Sequence, residues 1–135
     1  MPRVFIPHPI HPDGVARLRS QFTVDAPTTE DEAAFAASFA DADAIVVRNL
    51  GLDAARMDAS PKLKVIAKHG AGVDNIDIPA ATARGIVVAS VPGANADAVA
   101  EATVAMMLAA IRQVPKVHGL VASGYYAARW DLQFG

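Results

Sequence analysis

The fold class this sequence predicts is α/β: an open parallel sheet of about five strands, followed by a long helix. Three observations lead there. Short runs of β-branched and apolar residues recur along the chain, and amphipathic helical signals fall between them. The runs are apolar throughout rather than alternating, as expected of strands covered on both faces. The length of 135 residues and a hydrophobic content of 53 % suit a single sheet with a sizeable core.

The elements follow in order. Val4-Phe5-Ile6 is the first strand run, and Phe22-Thr23-Val24 a weaker second. Ala44-Ile45-Val46-Val47, Val65-Ile66-Ala67 and Ile86-Val87-Val88 are the third, fourth and fifth. Between the first two, residues 13–21 carry Val15 and Leu18, with Phe22 next, at helical spacing. Thr29-Glu30-Asp31-Glu32 has the form of a capping box, and Phe35 and Phe39 follow on one helical face. Asp53 can cap a short helix running towards Met57. Asp77-Ile78-Pro79 opens another, with proline early and Gly85 just past the end. Strand–helix alternation of this kind argues for a parallel sheet with right-handed crossovers. For so short an open sheet the expected strand order is flavodoxin-like.

The last segment differs. Asn95 and Asp97 sit where a helix N-terminus wants acceptors and negative charge. Val99, Val104, Met106, Met107, Leu108 and Ile111 then cover more than one face, and the helix is expected over residues 95–112, from Asn95 to Arg112. Pro115 interrupts it. Beyond, Gly119, Gly124, Tyr125, Tyr126 and Trp130 keep no clean period.

Composition excludes several function classes. The net charge is −2, which offers no footprint for nucleic acid or an anionic membrane. With no cysteine, neither a disulfide framework nor a thiolate metal site is possible. No apolar run suits a signal peptide or a bilayer span, and a cytoplasmic protein with no membrane partner is expected.

Ligands of open α/β sheets bind at the carboxyl ends of the strands. Those ends carry His8, Arg48-Asn49-Leu50-Gly51, His69-Gly70-Ala71-Gly72 and Ser90-Val91-Pro92-Gly93. Gly70-Ala71-Gly72 begins like a dinucleotide loop, but a third glycine or alanine is needed three residues on, opening a helix. Asn75 stands there, and the helical signal starts only at Asp77. Two readings stay open from spacing alone. The turn offers bare backbone N–H groups to a small anion such as a carboxylate, or it merely needs positive φ angles.

The stretch LKVIAKHGAGVDNIDIPAATARGIVVASVPGANADAVAEATVAMMLAAIR, residues 63–112, resembles the D-isomer-specific 2-hydroxyacid dehydrogenases, which include phosphoglycerate dehydrogenase and hydroxypyruvate reductase. Gly-Ala-Gly-Val-Asp-Asn-Ile-Asp, Arg-Gly-Ile-Val-Val and Val-Ala-Glu at these spacings carry the resemblance. It implies a flavodoxin-like substrate domain interrupted by a Rossmann domain that binds NAD or NADP. It also implies that the substrate's carboxylate rests on the amides of Ala71, Gly72 and Val73 in the Gly70 turn. Arg48 and Asn49 would lie over the substrate, and Lys68 and His69 would flank it. Residues 1–94 are then the substrate domain. Residues 95–135 are the crossing helix and tail, leading towards a nucleotide domain that this sequence lacks. The family's Gly-x-Gly-x-x-Gly and its catalytic arginine, acid and histidine match no residue here. The chain is therefore expected to be the amino-terminal part of such an enzyme, with no cofactor, catalytic or metal site of its own, and inactive alone.

Each residue also has a plainer explanation. A positioning or structural role is favoured for His69, because the family's catalytic histidine is not at this place. His8 and His11 are spaced like a metal pair, yet a solvated loop is favoured in proline-rich surroundings. Arg48 follows a buried strand, where a guanidinium is costly without an anion, so a substrate-facing role is favoured over a surface salt bridge. The helix dipole alone explains Glu101, and packing explains Met106-Met107. A response-regulator receiver shares the fold but needs acids after the first and third strands and a lysine after the fifth. His8, Arg48 and Ser90 stand there instead. A self-associating module, a homodimer exchanging the helix over residues 95–112, is the alternative to a part in catalysis. A small 2-hydroxy or 2-keto acid, bound weakly, is the other expected partner.

Overall fold

A computed structural model of the chain describes residues 1–27 and 35–124. The elements run β1 (Arg3–Phe5), α1 (Pro12–Arg19), β2 (Thr23–Asp25), α2 (Ala36–Asp41), β3 (Ala44–Val47), α3 (Ala54–Asp58), β4 (Val65–Lys68), α4 (Ile78–Ala83), β5 (Val87–Ala89), α5 (Ala96–Ile111) and α6 (Val114–Ala122). All five strands are parallel, in the order β2-β1-β3-β4-β5. This is the flavodoxin-like order. The chain divides into two compact units, Met1–Ala94 and Asn95–Gly135.

In the first unit, the core forms where the central strands meet the helices. Phe5 of β1 is fully buried and takes the rings of Phe35 and Phe39 edge-on, at centroid distances of 5.4 and 5.2 Å. Ile45, Val47 and Ile66 of β3 and β4 are also fully buried. Leu50, Leu52 and Ile76, which follow those strands, extend the same core. Cover on both faces fails at β5, where Val87 is 61 % exposed. That strand lies at the sheet edge with one strand neighbour, and α4 packs against it.

Element ends follow from where backbone N–H groups go. The Phe22 N–H is taken by the Leu18 carbonyl at 2.9 Å, so β2 begins at Thr23, one residue later than the apolar run suggests. The Asp53 and Asp77 side chains accept from the N–H groups of Arg56 and Ala80, each at 2.9 Å, as N-caps do. At the far end of α4, the Gly85 N–H reaches Thr82 O and the Ile86 N–H reaches Ala81 O, with Gly85 at φ 67°. These two bonds and the left-handed glycine make a Schellman motif. They hold Ile86 in the turn, so β5 starts at Val87. Helix α1 starts at Pro12 because the His11 Nδ1 accepts from the Asp13 N–H. His11 is exposed at the end of the loop, as expected, and caps the helix from there. The capping box at residues 29–32 lies outside the described residues.

In the second unit, Asn95 stands at the N-cap of α5, but its side chain makes no capping bond; Asp97 lies in the first turn. The break near Pro115 falls at Gln113, a left-handed residue at φ 50°. Beyond it, where the sequence keeps no period, the helix resumes as α6, and Pro115 sits in its first turn, where a missing N–H is harmless. Val99, Val104, Met106, Met107, Leu108 and Ile111 are each more than half exposed, so Met106 and Met107 find no packing among the described residues of the single chain. Tyr125, Tyr126 and Trp130 lie outside the described residues. Among the described residues no single helix is long and apolar enough to cross a membrane.

Candidate functional site

The central strands β3 and β4 end side by side, with Val47 opposite Lys68. Their continuations pair once more, at Leu52 and Ile76, where the Leu52 N–H reaches Asn75 O at 2.8 Å and the Asp77 N–H reaches Leu52 O at 2.9 Å. Between these two pairings one chain has four residues, 48–51, and the other seven, 69–75. The longer segment must bow away from the shorter.

Few backbone bonds hold the bow. The His69 N–H extends the ladder to Val47 O at 2.8 Å, the Gly70 carbonyl accepts from Val91 at 3.1 Å, and the Ile76 N–H returns to Val73 O at 2.9 Å. Gly70 has φ 150°, a conformation that L side chains rarely adopt. At Gly72 a Cβ would lie 3.0 Å from the Asp74 Oδ2, a contact that a small shift of that exposed side chain relieves. Among the described residues no acceptor takes the N–H groups of Ala71, Gly72 or Val73. Ala71 and Gly72 are exposed, and Val73 is half-buried against the core. Both open readings of the turn are thus present in one loop: a positive φ at Gly70 and three unclaimed N–H donors after it.

Side chains bridge the gap inside the bow. The Asn75 Nδ2 donates to Leu50 O at 2.6 Å and, at 3.3 Å, to Arg48 O. The Lys68 Nζ donates to Asn75 Oδ1 at 2.6 Å and also to Arg48 O. Lys68, expected to flank a ligand, therefore ties the two loops together. In the sequence Asn75 stands where a dinucleotide loop needs its third glycine and within the motif shared with the family, but nothing there marks it as the tie between two loops. The signal for its role is structural: an amide side chain placed where two loops of unequal length close again.

The remaining predicted residues divide. Arg48 is exposed and its Nη1 donates to Pro9 O at 3.0 Å. Burial therefore does not force an anion on it, which removes the physical ground for favouring a substrate-facing side chain there. Asn49 and His69 are exposed at the same end of the sheet. His8 is half-buried, and its Nδ1 has no hydrogen-bond partner among the described residues. With His11 committed to capping α1, the two histidines are not held as a pair.

The turn does not carry the dinucleotide fingerprint. Asn75 occupies the third-glycine position, and its carboxamide is engaged in the loop. Helix α4 begins only at Ile78, and its N-terminus is already capped by the Asp77 carboxylate. A groove of about 510 Å³ lies on one flank, lined by Asp53, Arg56, Asp74 and Asn75 among others. A larger, more apolar one of about 680 Å³ lies between His8, Val15 and Pro27. Residues 71–73 line neither groove.

The sequence model of the D-isomer specific 2-hydroxyacid dehydrogenase catalytic domain matches residues 4–127. D-3-phosphoglycerate dehydrogenase of Mycobacterium tuberculosis is 40 % identical over 116 residues, covering 85 % of this chain and 22 % of that protein. The same enzyme of Methanocaldococcus jannaschii is 36 % identical over 133 residues, 97 % of this chain and 24 % of that one. Among solved structures, a Thermus thermophilus protein superposes with a TM-score of 0.83 at 30 % identity, covering 92 % of this chain and 41 % of that one. The NADPH-dependent glyoxylate/hydroxypyruvate reductase of Sinorhizobium meliloti, in complex with NADP and malonate, superposes with a TM-score of 0.79 at 31 % identity, over 93 % of this chain and 39 % of that one. The chain thus spans about a quarter of the length of these curated relatives and about two fifths of the solved chains.

Proposed function

The chain belongs to the D-isomer specific 2-hydroxyacid dehydrogenases, and we propose that its first unit is the substrate-binding wall of such an enzyme. One observation carries this: the N–H groups of Ala71, Gly72 and Val73 have no acceptor among the described residues and stand on a bowed loop at the carboxyl ends of the two central strands. Adjacent backbone amides of this kind are a small-anion cradle. The carboxylate of a 2-hydroxy or 2-keto acid is the anion proposed for it. Arg48 and Asn49 would lie over the acid, and His69 would flank it. The activity proposed for the whole protein is hydride transfer between C2 of the acid and NAD or NADP. No residue of this chain is assigned a part in that chemical step, and the turn at Gly70 does not carry the dinucleotide fingerprint. A cytoplasmic location goes with this proposal.

Proton–nitrogen correlation spectra of the chain test it. Adding millimolar pyruvate or glycolate should move the amides of residues 71–73 along a saturable curve, and neutral hydroxyacetone should not. Movement confined to His8 and His11 would place the anion elsewhere. NADH added alone should give no saturable heat by calorimetry, and micromolar binding at a defined site would contradict the misfit at Asn75.

A second reading draws on α5. Its apolar side chains are more than half exposed on several faces, including Val99, Met107 and Ile111. A homodimer formed by exchanging the helix over residues 95–112 would cover them. The two readings are compatible, since the anion site lies wholly in the first unit.

A further inference from the structure

Resting on the substrate-wall reading, we propose that Asn75, acting with Lys68, is the positioning residue of this anion site. Two loops of four and seven residues cannot continue a parallel ladder between Val47–Lys68 and Leu52–Ile76. The carbonyls of Arg48 and Leu50 therefore lose the backbone donors that a strand would give them, and a side chain must supply replacements. A carboxamide offers two donors and one acceptor from one planar group. Asn75 uses both kinds: it donates to Leu50 O and Arg48 O and accepts from Lys68. Lys68 closes the ring by donating to Arg48 O as well. Aspartate would lose the donors, and glutamine would be a methylene too long.

What the ring fixes is the bow itself. Gly70 and Gly72 flank Ala71 and leave that backbone with wide conformational freedom. Lys68 pins the segment just before it and Asn75 just after it. The backbone that carries the three N–H groups is thus held before any ligand arrives, so ordering the loop does not weaken binding. The same ring holds the Arg48 backbone to the bow, so it also sets the distance between the Arg48 loop and the amides. Neither Lys68 nor Asn75 needs to touch the anion.

The test uses the whole chain, the variants Asn75→Ala and Lys68→Met, and their combination. Nitrogen relaxation is recorded without ligand, and the pyruvate titration is repeated at residues 71–73. Asn75→Ala should weaken pyruvate by about tenfold, the order expected when half-buried hydrogen bonds that support a site are removed. It should also introduce microsecond-to-millisecond exchange at residues 70–74, while the amides of β1 keep their shifts. The double variant should lose less than the sum of the two single losses, because the two side chains share one bond and the Arg48 carbonyl. If Asn75→Ala does not fold, Lys68→Met carries the same comparison from the other side of the ring. Unchanged affinity and unchanged relaxation in the variants would overturn the proposal. If the unsubstituted chain shows no saturable shift with pyruvate, the anion reading falls, and the relaxation of the free variants still decides whether the ring orders the bow.

Discussion

Lys62 donates to the Asp41 carboxylate at 2.9 Å, linking the end of α2 to the approach of β4. That bond, reinforced by the Lys62 charge, holds the Asp41 carboxyl below the usual carboxylate range. A carboxyl whose midpoint is depressed by folding adds stability above its unfolded value, and this is lost as pH falls through the folded midpoint. The contribution is small, because both side chains are more than half exposed. Carboxyl carbon titration should therefore find the Asp41 midpoint rising in Lys62→Met. The stability difference between the two proteins should fade in acid; an unmoved midpoint would contradict the pair. Residues whose partners are close in sequence were legible beforehand. Asp53 and Asp77 cap helices three residues on, as their spacing foretells. Asn75 was not legible, because the carbonyl it serves at Leu50 is twenty-five positions away and becomes its neighbour only when β3 and β4 pair. Arg48 shows the converse: a cation after a buried strand looks costly in sequence, yet the side chain lies at the surface on Pro9 O.

At the scale of elements, the Schellman turn after α4 sets where β5 can begin. Gly85 has φ 67°, and nothing lies within 4 Å of where its Cβ would be, so backbone strain alone decides its replacement. Gly85→Ala should cost roughly 1 kcal/mol, read as a lower midpoint in urea. Gly51→Ala meets equally open space without a positive φ and should be neutral or slightly stabilising. Equal losses at the two positions would mean that the turn is not what matters. Strand number, helix order and the break near Pro115 could be read from apolar runs and punctuating residues. Strand ends shifted by a residue at β2 and β5, because the preceding helix keeps the N–H of Phe22 or Ile86 for its own last turn. Helix α6 does carry helical spacing, with Val114, Val117 and Val121 on one face, but Pro115, Gly119 and Gly124 mask it in the sequence. Predicting a proline interruption placed the break correctly, but a proline in a first turn starts a helix as readily as it ends one.

For the whole molecule, exposed apolar side chains on α5 set the largest demand. Each large side chain left in water forgoes about 1.5–3 kcal/mol of burial. Several together rival the ~5–15 kcal/mol that stabilises an ordinary domain. Light scattering at micromolar concentration should therefore give twice the 14.1 kDa of one chain. Met107→Asp with Leu108→Asp should dissociate or unfold that dimer, and a stable monomer of the unsubstituted chain would rule out helix exchange. The five-strand order, the bowed loop and its unclaimed amides all lie within Met1–Ala94, so the substrate-wall reading stands apart from that outcome. Crystals of the chain soaked in malonate test it most directly. A carboxylate should appear within hydrogen-bond distance of the N–H groups of residues 71–73, with the Asn75–Lys68 ring intact beneath. Malonate seated only in the His8 or Asp53 grooves, with those three N–H groups bare or turned inward, would contradict the reading.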